Sequence, residues 1–581
     1  MQDIRQQLKK VIQKLYNLDF DPEITLAPEN INADYSTNAP LKLAKELHQS
    51  PIQIAEALKT GLDNNLSSKT QSTTENSPAP TKTQSTTKND PTLATTVIIT
   101  PPGFLNFNLP DAYFPAKIAD FADNFGKNIS WDEYQNKTII CEFSDPNPFK
   151  VLHVGHLYTS IVGDAISRLF EYAGAKVVRA NFGGDVGLHV AKTMYALLQK
   201  SAENDLDNLT IEDIANCYIA GTASYEDDPA AKAEITQLNK KIYQINANDE
   251  HGFFLADLYW RGRELSYAYF NDFYASIGIK FDKYYPESTV AALGLKTVEE
   301  QLQAGVYEKS NGAVVFDGDK YGLHTRVFIN NEGVPTYEAK DVGLIFTKWQ
   351  DYHFDKSVII TGNEQLEYMK VVLKSIEQYA PDLVAKTSHL THGLVKLPGN
   401  VKMSSRKGNF LKAVDVLNLV RDELKTAYNS TDEKVSLAAT KYAFLKYKMG
   451  GNIIFDPKES VKMTGNSGPY LLYSAVRAKK ILEKSQNSQP VTDYIYNQPE
   501  KNLAKKLLEY KTVLQEAVHD MAPHKLANFL FELAQEFSRF YENCPVAGSE
   551  QESERKKLVQ VYLAVMTHGL SLLGIEIPAE M

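Results

Sequence analysis

The sequence predicts a multidomain α/β protein in which a doubly wound parallel sheet lies between a small N-terminal α/β domain and a C-terminal bundle of helices. Two observations predict it. From Thr138 onward, short apolar runs alternate with helix-patterned stretches, as they do in parallel α/β sheets. After about Val414 the strand signals fade and long helical patterns follow, which is typical of an all-α domain. The central part is therefore expected to be Rossmann-like.

These patterns divide the chain into three parts. Residues 1–112 form the N-terminal domain, whose first 60 residues are patterned as a small helical unit. The domain contains a Ser/Thr-rich tract, 67–90, in which KTQSTT occurs twice. We expect this tract to be disordered, because it cannot bury enough apolar surface to offset its ordering entropy. Residues 113–415 form the sheet domain, with a helical insertion at about 190–285, and residues 416–581 form the helical bundle.

Individual elements follow from periodicity. A helix is predicted over 157–172, with Gly174 as its C-terminal cap. Strands of the parallel sheet are predicted at 138–144, 177–181, 313–318, 357–361 and 392–397. Later helices are predicted at 435–447, 470–483, 501–518, 525–541 and 556–573.

Composition excludes several classes of protein. No run of 18 or more apolar residues occurs, so we expect no membrane span. The three cysteines lie far apart without a CxxC pair, which argues against a disulfide framework and a cysteine-rich zinc site and is consistent with the cytoplasm. The net charge of −10 means that any nucleic acid must bind through local basic patches.

The most informative motif is HVGH at 153–156, between a strand pattern and a helix pattern. A helix N-terminus offers free backbone N–H groups to phosphate, and Gly155 allows the backbone to approach a nucleotide closely. His153 and His156 can donate hydrogen bonds to oxygens whose charge grows during reaction. The motif alone also fits two surface histidines beside a helix cap.

A second loop, VKMSSRKGN at 401–409, also follows a strand pattern. Its lysines, arginine and hydroxyls suit a polyphosphate, with lysine as a point charge and arginine as a fork of donors. A solvated basic loop is the alternative for such a cluster. The pairing with HVGH favours the functional interpretation.

Together, HVGH and KMSSR resemble the HIGH and KMSKS signatures of class I aminoacyl-tRNA synthetases. The resemblance is closest to arginyl-tRNA synthetase, because EFSDPNPFKVLHVGH at 142–156 follows that family's pattern except at Asp145 and Val151. Further similar stretches are GFLNF at 103–107, PTYEAKD at 335–341, SGPYLLYSAVR at 467–477 and LGIEIPAEM at 573–581. The resemblance thus covers nearly the whole chain outside the Ser/Thr-rich tract.

The resemblance implies an arginine–tRNA ligase that forms arginyl-adenylate from arginine and ATP and then charges the terminal ribose of its tRNA. ATP would arrive with Mg²⁺ as a substrate complex, and no prosthetic group or resident metal is expected. The implied catalytic residues are His153, His156, Lys150, Lys402 and Arg406. The implied ATP-binding residues are Gly155, His392, Met403 and Ser404. Ser405 replaces the second lysine of the class signature, and the family's upstream lysine, here Lys150, is thought to compensate.

The resemblance also implies how arginine is bound. Asp341 is the first choice for the guanidinium, and Tyr337 would share its face of a helix. Glu287 resembles a second acid, Glu142 and Asn147 match the family positions for the ammonium, and Gln365 matches a further contact. Tyr368 stands where the family often has histidine, so no role is carried over to it.

The C-terminal helices mix aromatic and basic residues, a composition that suits single-stranded RNA but is also normal for a helical core. The family resemblance favours an anticodon-binding domain, with Tyr470, Tyr473 and Arg477 as candidate tRNA contacts. The expected partners are therefore tRNA, arginine and ATP, with no membrane, and the chain is expected to be a monomer.

Three alternatives remain open. A class I synthetase for cysteine or lysine would commonly carry clustered Cys/His zinc ligands, which are absent from this sequence. A small-molecule nucleotidylyltransferase shares H-x-G-H but is usually much shorter. A non-catalytic RNA-binding paralogue would not need both signatures intact.

Overall fold

The computed structural model of the chain describes residues 2–28, 30–70, 96–200, 206–399, 411–486, 489, 491 and 493–581. Most of the Ser/Thr-rich tract lies outside these ranges. So do Lys402, Met403, Ser404 and Arg406, for which the structure therefore gives no position.

The N-terminal stretch combines helices with short strands. Its elements are α1 (Gln2–Tyr16), β1 (Thr25–Leu26), β2 (Tyr35–Thr37), α2 (Ala39–Leu47), α3 (Pro51–Thr70), β3 (Thr96–Thr100), β4 (Phe104–Asn108), α4 (Tyr113–Asp123) and α5 (Phe125–Ile129). The strands form one antiparallel sheet in the order β1-β2-β4-β3. The sequence did not predict β1 and β2, because two or three residues are too few to show an alternating pattern.

The central stretch carries the parallel sheet and the helices around it. Its first elements are β5 (Thr138–Glu142), α6 (Val154–Tyr172), β6 (Lys176–Gly183), α7 (Leu188–Lys200), α8 (Ile211–Asp227), α9 (Pro229–Asn248), α10 (Phe254–Ser276), β7 (Lys283–Pro286) and α11 (Glu287–Gln303). They are followed by β8 (Glu308–Ser310), β9 (Ala313–Phe316), β10 (Arg326–Ile329), α12 (Tyr337–Tyr352), β11 (Lys356–Gly362), α13 (Leu366–Glu377), α14 (Pro381–Ala385), β12 (Thr387–His392) and β13 (Val395–Lys396).

The described residues of the C-terminal stretch form helices and one short strand. Its elements are α15 (Ala413–Tyr428), α16 (Glu433–Leu445), β14 (Ile453–Ile454), α17 (Pro457–Ser460), α18 (Gly468–Lys484), α19 (Gln498–Leu508), α20 (Tyr510–His519), α21 (Pro523–Asn543) and α22 (Glu552–Leu572). The helix predicted at 501–518 is two helices, α19 and α20.

The described residues form two compact units. The first comprises 1–128, 480–511 and 535–564, and the second comprises 129–479, 512–534 and 565–581. In the first unit, buried Asp34 joins the N-terminal sheet to α19. Its carboxylate accepts from the backbone N–H of Leu109 and pairs with Lys501 and Lys505, each contact at 2.8 Å. Because an unpaired buried charge would be costly, Lys501 and Lys505 compensate the burial of Asp34, and the two ion pairs connect the sheet to α19.

In the second unit, five strands form a parallel sheet in the order β12-β11-β5-β6-β7. The chain winds from β5 outward to β7 and then returns to place β11 on the other side of β5. The winding direction thus reverses between β5 and β11. In open α/β sheets, ligands bind outside the carboxyl ends of the strands at such a switch point. The predicted doubly wound fold is confirmed.

Two predicted strands belong to other sheets. Segment 313–316 pairs antiparallel with β8 and β10 in a separate three-stranded sheet. The parallel strand predicted at 392–397 is found earlier, as β12, which ends at His392. Residues 395–396 form β13, which pairs with β14 in a separate sheet. Apolar runs predict a strand but carry no information about its partner, which explains both errors. None of the helices within the described ranges is long and apolar enough to cross a membrane.

Candidate active site

A cavity of about 1280 Å³ opens at the carboxyl ends of β5 and β11. It occupies the switch point of the sheet, where ligand binding is expected. Its wall contains most of the residues predicted for arginine and ATP: Glu142, Asn147, His153, Gly155, His156, Glu287, Tyr337, Asp341, Gln365 and His392. The fold thus brings to one place side chains that are widely separated in the sequence.

His153 and His156 cap the N-terminus of α6. Nδ1 of His153 accepts from the backbone N–H of Gly155, and Nδ1 of His156 accepts from the backbone N–H of His153, both at 3.1 Å. A ring nitrogen that accepts carries no proton, so each neutral ring has its proton on Nε2. The two rings stack with centroids 3.8 Å apart. The backbone therefore sets both imidazoles as Nε2–H donors.

Both imidazoles are neutral at physiological pH. Burial, reinforced by the charge of Lys150, lowers the pKa of His153 to about 4. Burial and the neighbouring His153 lower the pKa of His156 well below its usual value. The rings remain partly open to the cavity, and each offers it one hydrogen-bond donor without a charge. Gly155 is needed here for a further reason, because a Cβ at this position would lie 2.8 Å from Cε1 of His153.

The described residues that follow the KMSSR motif lie against HVGH. The backbone N–H of Val154 donates to the carbonyl of Leu411 at 2.9 Å, and the N–H of Ala413 donates to the carbonyl of Leu152 at 2.9 Å. On the other side of the motif, Lys396 lines the cavity. The segment 400–410 is therefore flanked at both ends by residues of the cavity wall or of the HVGH turn.

His392 ends β12 and lines the cavity. Its Nδ1 lies 2.8 Å from the carbonyl oxygen of Gly393. Because a carbonyl can only accept, Nδ1 carries the proton and Nε2 is left as an acceptor. Burial lowers the pKa of His392, which keeps the ring neutral. Its hydrogen-bonding role is thus opposite to that of His153 and His156.

The acidic side of the cavity is built by α11 and α12. A Cβ at Gly294 would lie 1.9 Å from the carbonyl oxygen of Ala339, and a Cβ at Gly343 would lie 2.2 Å from the carbonyl oxygen of Val290. The two helices therefore touch backbone to backbone, which only glycine permits. This close approach places Glu287, at the start of α11, within reach of the first turns of α12.

Two acids of the cavity wall are paired with buried lysines. Glu142 accepts from Nζ of Lys348 at 2.5 Å, and Lys348 also donates to Ser357. Glu287 accepts from Nζ of Lys340 at 2.7 Å. All four side chains are almost fully buried. Both pairs are therefore charge-neutral units that hold a carboxylate at the cavity without leaving an isolated charge.

Asp341 is different, because its hydrogen-bond partner is neutral. The helix predicted from the spacing of Tyr337 and Asp341 is present as α12. Burial raises the pKa of Asp341 to about 7, while a hydrogen bond from the Tyr368 hydroxyl opposes that rise. Tyr337 is 57 % exposed and also lines the cavity. Asp341 is thus a buried carboxylate poised to ionise fully when a cation arrives.

Asn147 is held by the strand-to-helix loop that follows β5. Its side-chain oxygen accepts from the backbone N–H of Gly184 at 2.8 Å, which directs the amide NH₂ elsewhere. A Cβ at Gly184 would lie 2.8 Å from that oxygen and 2.9 Å from Oε1 of Glu287, so a larger residue there would displace these two side chains. The amide NH₂ is thus available as a donor, and the second lone pair of the oxygen can still serve the predicted acceptor role.

Lys150 is not part of the cavity wall, but its charge acts on His153, His156 and Glu287, which are part of it. Its Nζ lies 4.9 Å from the ring centroid of Tyr218 on α8. Gln365 lies in the cavity wall, at the end of a short 3₁₀ turn over Asn363–Gln365. Within the described ranges no group of three or more His, Cys, Asp or Glu side chains is arranged to hold a metal ion.

Sequence reasoning missed the partners of the predicted acids. Lys340 and Lys348 were not singled out, and Tyr368 was given no role. The pair Arg326–Glu338 was missed entirely. Nothing in the sequence pairs Lys348 with Glu142, since 206 positions separate them. Lys340 directly precedes Asp341 in the PTYEAKD stretch, so its position marked it as a candidate site residue. Its pairing with Glu287 could not be inferred, because 53 positions separate the two.

The candidate tRNA contacts on α18 differ in exposure. Tyr473 is 40 % exposed, and the guanidinium of Arg477 lies 4.6 Å from its ring centroid. Tyr470 is partly buried and packs edge-on against Phe531 with centroids 5.8 Å apart. Tyr473 and Arg477 therefore offer a surface for stacking, whereas Tyr470 contributes mainly to packing.

Comparison with known proteins supports this architecture. Three family models match: arginyl tRNA synthetase N terminal domain over residues 2–75, tRNA synthetases class I (R), catalytic domain, over 124–456, and DALR anticodon binding domain over 471–581. A curated arginine–tRNA ligase of Clostridium botulinum is 27 % identical, with 100 % of both chains covered. Another, of Treponema denticola, is 29 % identical and covers 78 % of this chain and 81 % of its own.

Solved structures show the same fold. The arginyl-tRNA synthetase of Thermus thermophilus has a TM-score of 0.78 at 21 % identity, with 100 % of both chains covered. That of Plasmodium falciparum has a TM-score of 0.73 at 20 % identity, covering 100 % of this chain and 99 % of its own. Since the model of the arginine-type catalytic domain spans more than half of the sequence and the two other domain models flank it, the chain belongs to the arginyl-tRNA synthetase family of class I tRNA synthetases.

Proposed function

We propose that the protein is an arginine–tRNA ligase whose cavity binds arginine and ATP side by side. The charge of the cavity wall carries the proposal. Glu142 and Glu287 are each neutralised by a buried lysine, and Glu338 is paired with Arg326 at 3.2 Å. Asp145 also lines the wall, and burial raises its pKa well above its usual value, which favours its neutral form. Glu364 lines the wall from the turn before α13. Asp341, whose partner is the neutral Tyr368, supplies a negative charge from α12. A side chain with one delocalised positive charge and planar donors matches that carboxylate.

In this proposal the arginine side chain points toward α12. Asp341 binds the guanidinium, with Tyr337 one turn away on the same helix and Glu287 across from it on α11. At the other end of the substrate, Glu142 accepts from the ammonium. The NH₂ of Asn147, whose oxygen accepts from Gly184, is the donor available for the substrate carboxylate. Gln365 supplies a further polar contact from the wall.

The first chemical step is attack of the arginine carboxylate on the α-phosphate of ATP, with pyrophosphate leaving. Positioning and charge stabilisation dominate catalysis of such a step. His153 and His156 donate Nε2–H to phosphate oxygens as negative charge builds on them. Because both rings are neutral and locked by the backbone, they need no reorganisation during the reaction. His392 offers an acceptor, which suits a ribose hydroxyl or the adenine amino group.

Pyrophosphate would be held by Lys402 and Arg406, with Met403 and Ser404 from the same loop, and Lys150 would assist. Mg²⁺ would arrive with ATP as part of the substrate. In the second step a hydroxyl of the terminal tRNA ribose attacks the arginyl carbonyl carbon, and AMP leaves. These assignments are supported by the family match and by the flanking of 400–410 by cavity and HVGH residues.

The remaining parts of the chain would bind tRNA. We propose that residues 1–112 are an add-on domain for tRNA, that 113–415 are the catalytic domain with its insertion at about 190–285, and that 416–581 bind the anticodon. Tyr473 and Arg477 are the favoured contacts on α18, because an exposed ring beneath a guanidinium can stack on a base. We further propose that the chain acts as a monomer in the cytoplasm.

The test is exchange of pyrophosphate into ATP in the presence of tRNA, with arginine, lysine or cysteine supplied in parallel. Of the three amino acids, we expect only arginine to support exchange. Exchange that required lysine or cysteine would show that the substrate is wrong. Exchange independent of any amino acid or tRNA would favour a small-molecule nucleotidylyltransferase, and complete inactivity would favour a non-catalytic RNA-binding protein.

A further inference from the structure

Tyr368 lies at the junction of three elements that meet at the cavity. It belongs to the first turn of α13, and its hydroxyl donates to Oδ2 of Asp341 on α12. The guanidinium carbon of Arg326, at the start of β10, lies 5.3 Å from the centroid of its ring. Nη1 of Arg326 donates in turn to Oε1 of Glu338, also on α12, at 3.2 Å. Ring, carboxylate and guanidinium thus form one chain of contacts.

We propose that Tyr368 is a positioning residue for arginine recognition: its hydroxyl fixes Oδ2 of Asp341, and Arg326, held by Glu338, fixes the ring of Tyr368. The proposal rests on the proposed function, since it concerns the carboxylate that would bind the guanidinium. The single bond to Oδ2 orients the carboxylate plane and leaves Oδ1 and the second lone pair of Oδ2 for the substrate. A guanidinium binds a carboxylate through paired, directional N–H donors, so the orientation of the carboxylate matters for binding as much as its charge.

The hydrogen bond also controls the charge of Asp341. The groups that face this carboxylate are Glu142 at the end of β5, Asp145 in the loop after β5, Glu287 on α11, Lys348 on α12 and Tyr368 on α13. Burial and the two glutamates favour the protonated form, whereas the Tyr368 hydroxyl and Lys348 favour the ionised form. A hydrogen bond to a charged group is among the stronger ones in proteins. Losing it should therefore raise the pKa of Asp341 and reduce the fraction that can bind a cation.

Tyrosine is suited to this task because it does not titrate with its partner. Burial and the adjacent Asp341 raise the pKa of Tyr368 well above its usual value, so the hydroxyl keeps its proton throughout the working range. A histidine at this position would change charge between about pH 5 and pH 8 and could neutralise Asp341. Tyr368 thus gives this carboxylate a donor of constant charge.

The test is Tyr368→Phe, which removes the hydroxyl and keeps the ring under Arg326. The matched control is Tyr379→Phe, which removes a hydroxyl that contacts Tyr307 and lies outside the cavity wall. In protein labelled with [4-¹³C]aspartate, with Asp341→Asn used to assign the signal, we expect the pKa of Asp341 to rise in Tyr368→Phe and to stay unchanged in Tyr379→Phe. We expect the KM for arginine near pH 7 to rise about tenfold with less than about twofold change in kcat.

An unchanged pKa of Asp341 together with an unchanged KM for arginine in Tyr368→Phe would overturn the proposal. Equal effects in both tyrosine variants would also overturn it, because they would indicate a general loss of packing. The ¹³C titration needs no catalytic activity. If the wild-type chain failed to charge tRNA with arginine, the proposed function would fall, while the titration would still test the hydrogen bond.

Discussion

The two ends of the cavity solve the same problem, placing polar groups in a partly buried site, by different means. At the HVGH end, His153 and His156 are neutral and are held by hydrogen bonds from the backbone of their own turn. At the arginine end, Glu142 and Glu287 are charged and are held by lysines from distant parts of the chain. Neutral donors can therefore be organised locally, whereas buried charges require tertiary partners.

This comparison predicts that a substitution at one end of the cavity impairs the function of that end and leaves the other end intact. The most severe loss is expected for Asp341→Asn, which removes the charge that matches the guanidinium. Truncating one partner of a buried charge pair weakens binding by about 2–5 kcal/mol, so we expect kcat/KM for arginine to fall about 10³-fold. The KM for ATP should change little. Steady-state kinetics with each substrate varied in turn measures both, and Glu367→Gln, an exposed substitution on α13, is the control.

The opposite pattern is expected for His156→Ala. Loss of one preorganised donor to the phosphate should slow arginine-dependent pyrophosphate exchange by at least ~10²-fold, with little effect on the KM for arginine. His519→Ala, whose side chain is 77 % exposed, should behave like the wild type. Near-normal exchange in His156→Ala would refute the catalytic assignment of the HVGH turn.

The two ends should also differ in what they contribute to stability. Lys348→Met leaves Glu142 buried without its cation, and breaking a buried pair in this way destabilises a protein by about 3–5 kcal/mol. Thermal unfolding should show a clear loss of stability, and the double variant Lys348→Met/Glu142→Gln should recover part of it. If the single variant were as stable as the wild type, Glu142 would not depend on this lysine.

The smallest expected effect is on pH dependence. Asp341 has a pKa of about 7, so as the pH falls below that value the carboxylate gains a proton and the KM for arginine should rise, by up to about tenfold per unit. The pKa of His153 is about 4 and that of His156 is lower than usual, so the HVGH end should stay neutral and the KM for ATP nearly flat between about pH 6 and pH 9. Equal pH dependence of both constants would contradict the comparison.

The same contrast explains what the sequence could predict. The HVGH turn, its helix and the glycine that ends the helix depend on residues within a few positions of one another. The structure contains all three, with Ala173 as the C-cap and Gly174 at positive φ directly after it. The parallel sheet was predictable because strand and helix patterns alternate. The pairs Lys348–Glu142, Lys340–Glu287 and Tyr368–Asp341 join distant segments, and local patterns carry no signal for them. The antiparallel placement of 313–316 was missed for the same reason.

The most direct test of the central claim is a crystal structure with arginine and a non-hydrolysable ATP analogue bound. We expect the guanidinium on Asp341 at about 2.7–2.9 Å, the ammonium on Glu142, and Nε2 of His153 and His156 facing the phosphates. Arginine bound in the opposite direction, with its ammonium on Asp341, or bound outside the cavity, would contradict the account.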